Sequence, residues 1–253
     1  MKKFLLVLFV ALGLVFAGFY LYMQENFYPA ILMYHSVDQN RQNTPSMSLE
    51  QFSRQMEYIK KHNYKVISLA ELAQDLKQGR SVRRTVVITF DDGYKDNLKA
   101  VEVLKKFNFP ATIFMIVGNI GKEGFLSPQD LRYIEDKTPV DIGVHTFSHA
   151  YMPDVKAQDY SKEIVWPKKV LESILARKVL CFSYPVGGFN RKVEKAVKDA
   201  GFLCAVTTNR GYSKDVDLYA LRRIKISAKD KGINLWAKLS GYYYVFKKIK
   251  PPE

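Results

Sequence analysis

The sequence predicts an α/β fold, a distorted (β/α) barrel of about seven strands, preceded by an N-terminal apolar anchor or signal segment. Short apolar runs rich in β-branched residues alternate with amphipathic helical patterns, which is typical of parallel strand pairing. About seven such units occur, enough for a closed or nearly closed barrel. The chain has 253 residues, a length that suits one barrel domain.

The N-terminal segment comes first. Residues 4–22 carry no charge and are apolar, and two lysines precede them, which predicts either a secretory signal or a membrane anchor. Length favours an uncleaved anchor, although Ala17 and Gly18 offer small residues for cleavage. In both cases the lysines stay cytoplasmic and the rest of the chain is exported. We assign residues 1–26 to this segment.

The strand predictions follow in chain order. Each run is short and strand-like, most are apolar and contain β-branched or aromatic residues, and helical patterns fall between most of the runs. The predicted strands are 30–34, 66–67, 85–90, 111–117, 140–144, 179–184, 203–207 and 221–226.

Helix boundaries are signalled by capping residues. Ser48 and Ser68 each precede a Gln or Glu by three positions, the pattern of a capping box at a helix start. Asn190 predicts a third start. Pro167 lies within the helical pattern of residues 162–176 and is expected to kink or split that helix.

The catalytic domain is assigned to residues 27–228, and residues 229–253 form an aromatic and basic C-terminal segment. Its aromatic residues are either a membrane-contacting surface or side chains packed on the barrel beside a solvated basic edge. They are Trp236, Tyr242, Tyr243, Tyr244 and Phe246.

The net charge of +14 indicates contact with anionic surfaces such as phospholipid or cell-wall polymer. Nucleic acid is an unfavoured partner, because the chain shows none of the usual nucleic-acid motifs and export would separate it from nucleic acid. The two cysteines, Cys181 and Cys204, lie in apolar runs, so buried thiols are expected, although export would permit a disulfide.

Chemistry-bearing residues follow several of these strands. Asp91 and Asp92 end the run 85–90, while His145 and His149 follow the run 140–144. Carboxyl ends of barrel strands build active sites. The two histidines are four apart, which on one helical turn would bring both rings to the same side. With a carboxylate they form a ligand set suited to zinc, with a fourth position open for water.

These residues resemble the polysaccharide deacetylase family, metal-dependent carbohydrate esterases that remove N-acetyl groups from amino-sugar polymers. Residues 89–94 (Thr-Phe-Asp-Asp-Gly-Tyr) match its first motif and residues 145–149 (His-Thr-Phe-Ser-His) its second. The resemblance runs from about residue 30 to 227. It implies Asp91 as general base, with Asp92, His145 and His149 as metal ligands, and Thr146 as a brace of the histidine loop.

Two departures from the family pattern stand out. The third motif reads Ser-Tyr-Pro-Val-Gly at residues 183–187, so the arginine that usually supports the base is absent there. The usual late Leu-x-His motif also has no match. Residues 32–36 (Leu-Met-Tyr-His-Ser) look like the first strand of the poly-N-acetylglucosamine deacetylase branch, where a histidine replaces the lost acid. That resemblance implies His35 as general acid.

The turn after residue 184 supplies the remaining site prediction. We expect a backbone N–H near Val186 to stabilise the oxyanion, because Pro185 has no N–H to donate. Tyr184 and Pro185 are predicted to contribute to the same substrate-binding turn.

The predicted function is metal-dependent removal of N-acetyl groups from a polymer that resembles poly-N-acetylglucosamine. The cofactor is expected to be Zn²⁺, with Co²⁺ or Ni²⁺ as alternatives. Peptidoglycan or chitin oligosaccharides are the rival substrates, and an inactive carbohydrate-binding protein is a rival class. The protein is predicted to be a monomer associated with the membrane through its N-terminal segment, with the catalytic domain on the periplasmic or extracellular side, or secreted if the segment is cleaved.

Overall fold

The computed structural model describes residues 2–37, 45–213, 215–245 and 247–253. Strands and helices alternate along most of this chain. The helices are α1 (Lys2–Glu25), α2 (Leu49–Lys61), α3 (Leu69–Lys77), α4 (Asn97–Phe107), α5 (Pro128–Lys137), α6 (Trp166–Leu175), α7 (Arg191–Asp199) and α8 (Ile233–Leu239). The strands are β1 (Ala30–Tyr34), β2 (Ser36–Val37), β3 (Ser46–Met47), β4 (Lys65–Val66), β5 (Thr85–Phe90), β6 (Ala111–Met115), β7 (Val140–Val144), β8 (Cys181–Ser183), β9 (Cys204–Thr207), β10 (Leu221–Arg222) and β11 (Ile224–Lys225).

Eight of the strands form a nearly closed parallel barrel in the order β10-β9-β8-β7-β6-β5-β1-β11. All neighbours on this path pair in parallel. The two end strands of this path, β10 and β11, are separated along the chain only by Arg223. The two ends of the path therefore lie next to each other. The predicted fold is therefore confirmed, with eight strands in place of about seven, because Arg223 divides the last predicted strand in two.

The remaining strands lie outside the barrel path. β4 pairs with the start of β5, and β2 pairs with β3 in a separate two-stranded sheet. β2 and β3 were not predicted, since two-residue strands carry no readable alternation.

The capping predictions at Ser48 and Asn190 are confirmed. The Ser48 side chain and the Gln51 side chain cap each other's backbone N–H groups at the start of α2, and Asn190 accepts two backbone N–H bonds at the start of α7. The Ser68 hydroxyl accepts the Glu71 N–H at the start of α3. At Pro167 the predicted helix does split: a π-helical turn, Ser161–Val165, gives way to α6.

The N-terminal residues form α1, and several of its apolar side chains are exposed, including Phe9, Leu14 and Phe16. Within the described part of the chain, no helix has both the length and the apolar character required to span a membrane. The role of this segment as an anchor or a signal stays a prediction.

The buried side chains form two clusters. The larger lies where the helices pack on the strands. The smaller contains alternate strand residues, among them Ile31, Val87 and Phe114, together with Cys181, Cys204 and the buried apolar residues of α3. These cysteines are directly paired in the β8/β9 register, and their Sγ atoms lie 3.6 Å apart as free thiols.

The C-terminal segment packs on the barrel. Leu235, Leu239 and Tyr244 are buried in the larger cluster, and the Tyr244 hydroxyl donates to the carbonyl of Arg223. Lys247, Lys248 and Lys250 are exposed at its edge, whereas Lys238 is 15% exposed and donates to Asp230. These contacts match the packed arrangement of the two that we considered, with Trp236 left 51% exposed. Phe246 lies outside the described residues.

Candidate active site

Backbone pairing places the candidate residues at one end of the barrel. Asp91 continues β5 by donating its N–H to the carbonyl of Tyr34, and His145 continues β7 by donating to the carbonyl of Met115. His35 directly follows β1. Because the strands are parallel, their carboxyl ends meet at the same mouth of the barrel. The sequence signal was therefore a positional one, since each residue follows a buried apolar run.

Asp92, His145 and His149 form the only cluster of at least three potential metal ligands among the described residues, and their donor atoms all lie within 4.8 Å of one another. Asp92 Oδ1 lies 3.6 Å from His145 Nε2 and 3.5 Å from His149 Nε2. One carboxylate oxygen and two imidazole nitrogens therefore face a common point.

Second contacts orient the buried ligand ring. His145 Nδ1 lies 2.8 Å from the carbonyl of Ser183, so the ring donates at Nδ1 and its Nε2 lone pair lies on the side of Asp92 and His149. Burial lowers the pKa of His145, although Asp91 and Asp92 act in the opposite direction. The neutral ring, with a free Nε2, is the form that a metal requires. The donor set and its orientation fit a divalent metal such as zinc.

The histidine loop does not have the helical turn that the i, i+4 spacing suggested. Residues 145–149 are irregular, and Thr146 and His149 have left-handed φ values of 61° and 62°. The Thr146 hydroxyl accepts the His149 N–H at 2.9 Å. The reason given for the pairing was therefore wrong: a loop with two left-handed residues brings the rings together, and their centroids lie 4.9 Å apart.

Glu163 supports this loop, and sequence reasoning missed it. Its buried carboxylate accepts the N–H groups of Phe147 and Ser148 at 3.0 Å each and the Ser148 hydroxyl at 2.9 Å. Glu163 lies in the π-helical turn Ser161–Val165, a local geometry often found at functional sites. The only sequence signal was an acidic residue in an amphipathic helix, and that is ordinarily a solvated position.

Arg223 holds the carboxylate of Asp91. Its guanidinium donates to Asp91 Oδ1 and Oδ2 at 2.7 Å each, and it also donates to Ser183 Oγ, Thr89 Oγ1 and the carbonyl of Thr207. Both side chains are buried, at 0% and 5% exposure. The arginine that the third motif lacks is therefore supplied by Arg223, between β10 and β11. The missed signal was an arginine within a predicted buried strand.

The Asp91 carboxylate is ionised in this setting. Burial raises its pKa, but the charge of Arg223 and the hydrogen bonds from Arg223 together lower the pKa well below its ordinary value. Ser183 also donates to Asp91 Oδ1, at 3.2 Å. The structure therefore fixes an ionised carboxylate beside the metal-ligand set, where it can accept a proton.

His35 faces the same site. It lines one cleft with Asp91, Asp92, His145 and His149, and its Nδ1 is buried without a hydrogen-bond partner among the described residues. Burial lowers the pKa of His35, while Asp91 and Asp92 raise it by a smaller amount.

The turn after β8 divides into a buried and an exposed part. Val186 lines the cleft, is 59% exposed and has a left-handed φ of 56°, a rare conformation for a β-branched residue and one that clusters at functional sites. Tyr184 instead lies in the core, with its hydroxyl donating to the carbonyl of Tyr219. Neither Tyr184 nor Pro185 is among the described residues that line the cleft, so only Val186 of this predicted trio faces it.

The cleft has a volume of about 260 Å³, and the turn that follows its two carboxylates is closely packed at a glycine. Gly93 has a φ of +73°, and a Cβ there would lie 2.0 Å from Met115 Sδ. Only glycine fits this position, directly after the two carboxylates. The Asp-Asp-Gly sequence is thus a turn as well as a site.

Comparison with known proteins places this site in a family. Residues 78–205, half of the chain, match the polysaccharide deacetylase family. YxkH of Bacillus subtilis (strain 168), assigned by name to the polysaccharide deacetylases, is 32% identical over 78% of this chain and 71% of its own length. The chain belongs to the polysaccharide deacetylase family. It is accordingly a carbohydrate esterase that acts as an N-deacetylase.

A further relative and a solved structure are also similar to this polysaccharide deacetylase. The poly-beta-1,6-N-acetyl-D-glucosamine N-deacetylase of Staphylococcus epidermidis is 29% identical over 72% of this chain and 68% of its own. The crystal structure of a polysaccharide deacetylase from Bacillus cereus superimposes with a TM-score of 0.73 at 27% identity, covering 83% of this chain and 68% of that one.

Proposed function

We propose that this deacetylase is metal-dependent and acts on N-acetylglucosamine units of a polymer that resembles poly-N-acetylglucosamine. One observation carries the proposal: the clamped carboxylate of Asp91 shares a single cleft with the ligand set Asp92, His145 and His149. A fixed base next to a metal-ligand set is what amide hydrolysis needs, because an acetamide carbonyl is a poor electrophile.

Asp92, His145 and His149 would hold the metal, with Zn²⁺ preferred and Co²⁺ or Ni²⁺ as alternatives. A bound divalent cation polarises the acetamide oxygen and lowers the pKa of water towards about 7. The chain prepares its own ligands for this task, since Ser183 sets the His145 tautomer and Thr146 fixes the backbone of His149.

Proton transfer is assigned to two residues at the mouth of the barrel. Asp91 takes the proton of the attacking water, and Arg223 keeps its carboxylate in place through two bonds at 2.7 Å. His35 gives a proton to the leaving sugar nitrogen, without which expulsion of the amine is slow. The backbone N–H of Val186 is assigned to the developing oxyanion, because this residue is exposed within the cleft.

The substrate assignment rests on the resemblance of residues 32–36 to the poly-N-acetylglucosamine branch and on the 29% identity to a relative named for that activity. Peptidoglycan and chitin oligosaccharides are the alternatives. A protein that only binds carbohydrate is a weaker alternative, since aiming a base, an acid and three ligands at one cleft serves no purpose without turnover.

Export of the catalytic domain is also part of the proposal. The two N-terminal lysines and the exposed apolar side chains of α1 support placement of this segment at the membrane, retained or cleaved. A reporter fused after Glu253 should be active outside the cytoplasm. A reporter active only in the cytoplasm would overturn this placement.

The substrate test measures acetate release from β-1,6-linked N-acetylglucosamine oligomers of increasing length, beside peptidoglycan and chitin fragments. The rate on the β-1,6 oligomers should rise with length, because remote units contribute binding energy that orients the scissile acetamide. A rate independent of length, or a strong preference for peptidoglycan, would overturn the substrate while leaving the deacetylase activity intact. The Asp91→Asn variant supplies the background rate.

A further inference from the structure

The active cleft continues into a second cavity of about 350 Å³. The two share a wall of five residues: Met33, His35, Pro45, Val186 and Thr208. A polymer chain bound with one unit at Asp91 would therefore have a neighbouring unit in this cavity. We call the cavity the basic arm and define it by the side chains of Lys225, Lys247 and Lys250, which line it together with Tyr243.

Among the described residues, no carboxylate compensates the positive charge of the basic arm. All three lysines are exposed, and none forms an ion pair with a carboxylate of the described chain. No Asp or Glu is among the described residues that line the arm. The guanidinium of Arg223, which also lines it, is neutralised by Asp91. The arm therefore presents about three positive charges to whatever unit occupies it.

These lysines lie on a fixed wall of the cleft. The N–H of Lys250 donates to the carbonyl of Asn209, and the Asn209 side chain donates to the carbonyl of Lys248. Arg210 donates to the carbonyl of Pro251. The Nζ of Lys247 lies 5.3 Å from the centroid of the Tyr243 ring. A charge on an anchored segment acts at a definite place along the bound polymer.

Deacetylation converts a neutral acetamide into an amine that takes up a proton, so the enzyme's own product carries positive charge. We propose, on the basis of the proposed function above, that the basic arm is a subsite that accepts an acetylated unit and rejects a deacetylated, ammonium-bearing unit. The enzyme then avoids acting next to units it has already processed, and the acetate groups it removes are spaced along the polymer.

The test compares three β-1,6-linked pentamers, with kcat/KM for acetate release as the readout. In the first pentamer all units are acetylated. In the second pentamer, one unit is glucosamine, and separate syntheses place this unit at each position in turn. In the third the same unit is glucose, which lacks the acetyl group but has no charge. When the altered unit is at the position that occupies the basic arm, kcat/KM for the glucosamine pentamer should be lower than for the glucose pentamer by roughly fivefold or more at low salt.

The ratio between the glucosamine and glucose pentamers isolates charge, and it does not depend on how much enzyme is folded. Raising the ionic strength towards 1 M should shrink this ratio, since the screening length falls to about 3 Å. In the variant Lys247→Gln/Lys250→Gln the ratio should move towards one. The control Lys60→Gln/Lys61→Gln removes the same charge from the exposed end of α2 and should keep the wild-type ratio.

A ratio near one at every position in the wild-type enzyme would overturn the inference, as would an equal ratio in the Lys247→Gln/Lys250→Gln variant. A ratio that does not change with ionic strength would show that the enzyme discriminates the two units by shape and not by charge. Absence of acetate release from the fully acetylated pentamer would instead overturn the proposed substrate.

Discussion

Replacing Arg223 should damage both the stability of the barrel and the base it supports. Breaking a buried ion pair by removing one partner costs about 3–5 kcal/mol, because the other charge is left uncompensated. Two charge-assisted bonds of about 1.5–3 kcal/mol each give a similar figure, and both side chains are at most 5% exposed, so solvent screens the pair little. Arg223→Met should therefore lower the free energy of unfolding by about 3 kcal/mol or more.

A double-mutant cycle measures this coupling directly. Urea unfolding is recorded for the wild type, Arg223→Met, Asp91→Asn and the double variant. Removing both charges should cost less than the sum of the two single changes, with an interaction energy of about 3 kcal/mol. Arg223→Lys keeps the charge but loses the two-pronged geometry, and its stability should fall between the wild type and Arg223→Met.

The reasoning fails if Arg223→Met unfolds within about 0.5 kcal/mol of the wild type, or if the two single changes are additive within the usual error of such cycles. Since Arg223→Met removes support from the general base, kcat should also fall, by about a hundredfold or more. A stable Arg223→Met enzyme with an unchanged kcat would show that Asp91 does not need this brace.

Three further predictions concern the residues around the cleft. Glu163→Ala should weaken zinc affinity by about 10–100-fold in a titration of the metal-stripped protein, with Glu163→Gln recovering part of the loss; affinities equal to the wild type in both variants would contradict its role in the histidine loop. His149→Ala should lose bound metal and activity together, while His62→Ala, at the exposed end of α2, should keep both; normal metal content in His149→Ala would remove this residue from the ligand set. His35→Ala should retain the metal and lose about a hundredfold or more in kcat, and an unchanged rate would place the general acid elsewhere.

The barrel could be predicted from sequence because its strands are buried on both faces. The runs at residues 30–34, 85–90 and 140–144 match β1, β5 and β7 residue for residue, since continuous apolar sequence leaves little choice of boundary. The last strand was predicted as one run. A single inward-facing arginine divides it, and its charge is tolerated there only because Asp91, at the end of another strand, compensates it.

The site was predictable in its residue types and less so in its geometry. Asp92, His145 and His149 could be found from motif and position, but the left-handed backbone at Asp92, Thr146 and His149 depends on tertiary contacts that no local pattern encodes. Glu163 was missed for the same reason, since it is distant in sequence from the backbone groups it caps. Tyr184 was predicted to be a site residue because it is next to Pro185 and Val186 in sequence. Its side chain points into the core instead, as the alternation of side chains along an extended strand requires.

The central claim is that Asp91 works as a general base beside a metal held by Asp92, His145 and His149. The most direct measurement determines zinc content and acetate release from a fully acetylated β-1,6 pentamer, for the wild type and for Asp91→Asn, at a temperature where both are folded. Both proteins should bind one metal ion, and Asp91→Asn should release acetate about a hundredfold or more slowly. Equal rates in the two proteins, or a wild type that binds zinc and releases no acetate from any polymer of the panel, would contradict the account.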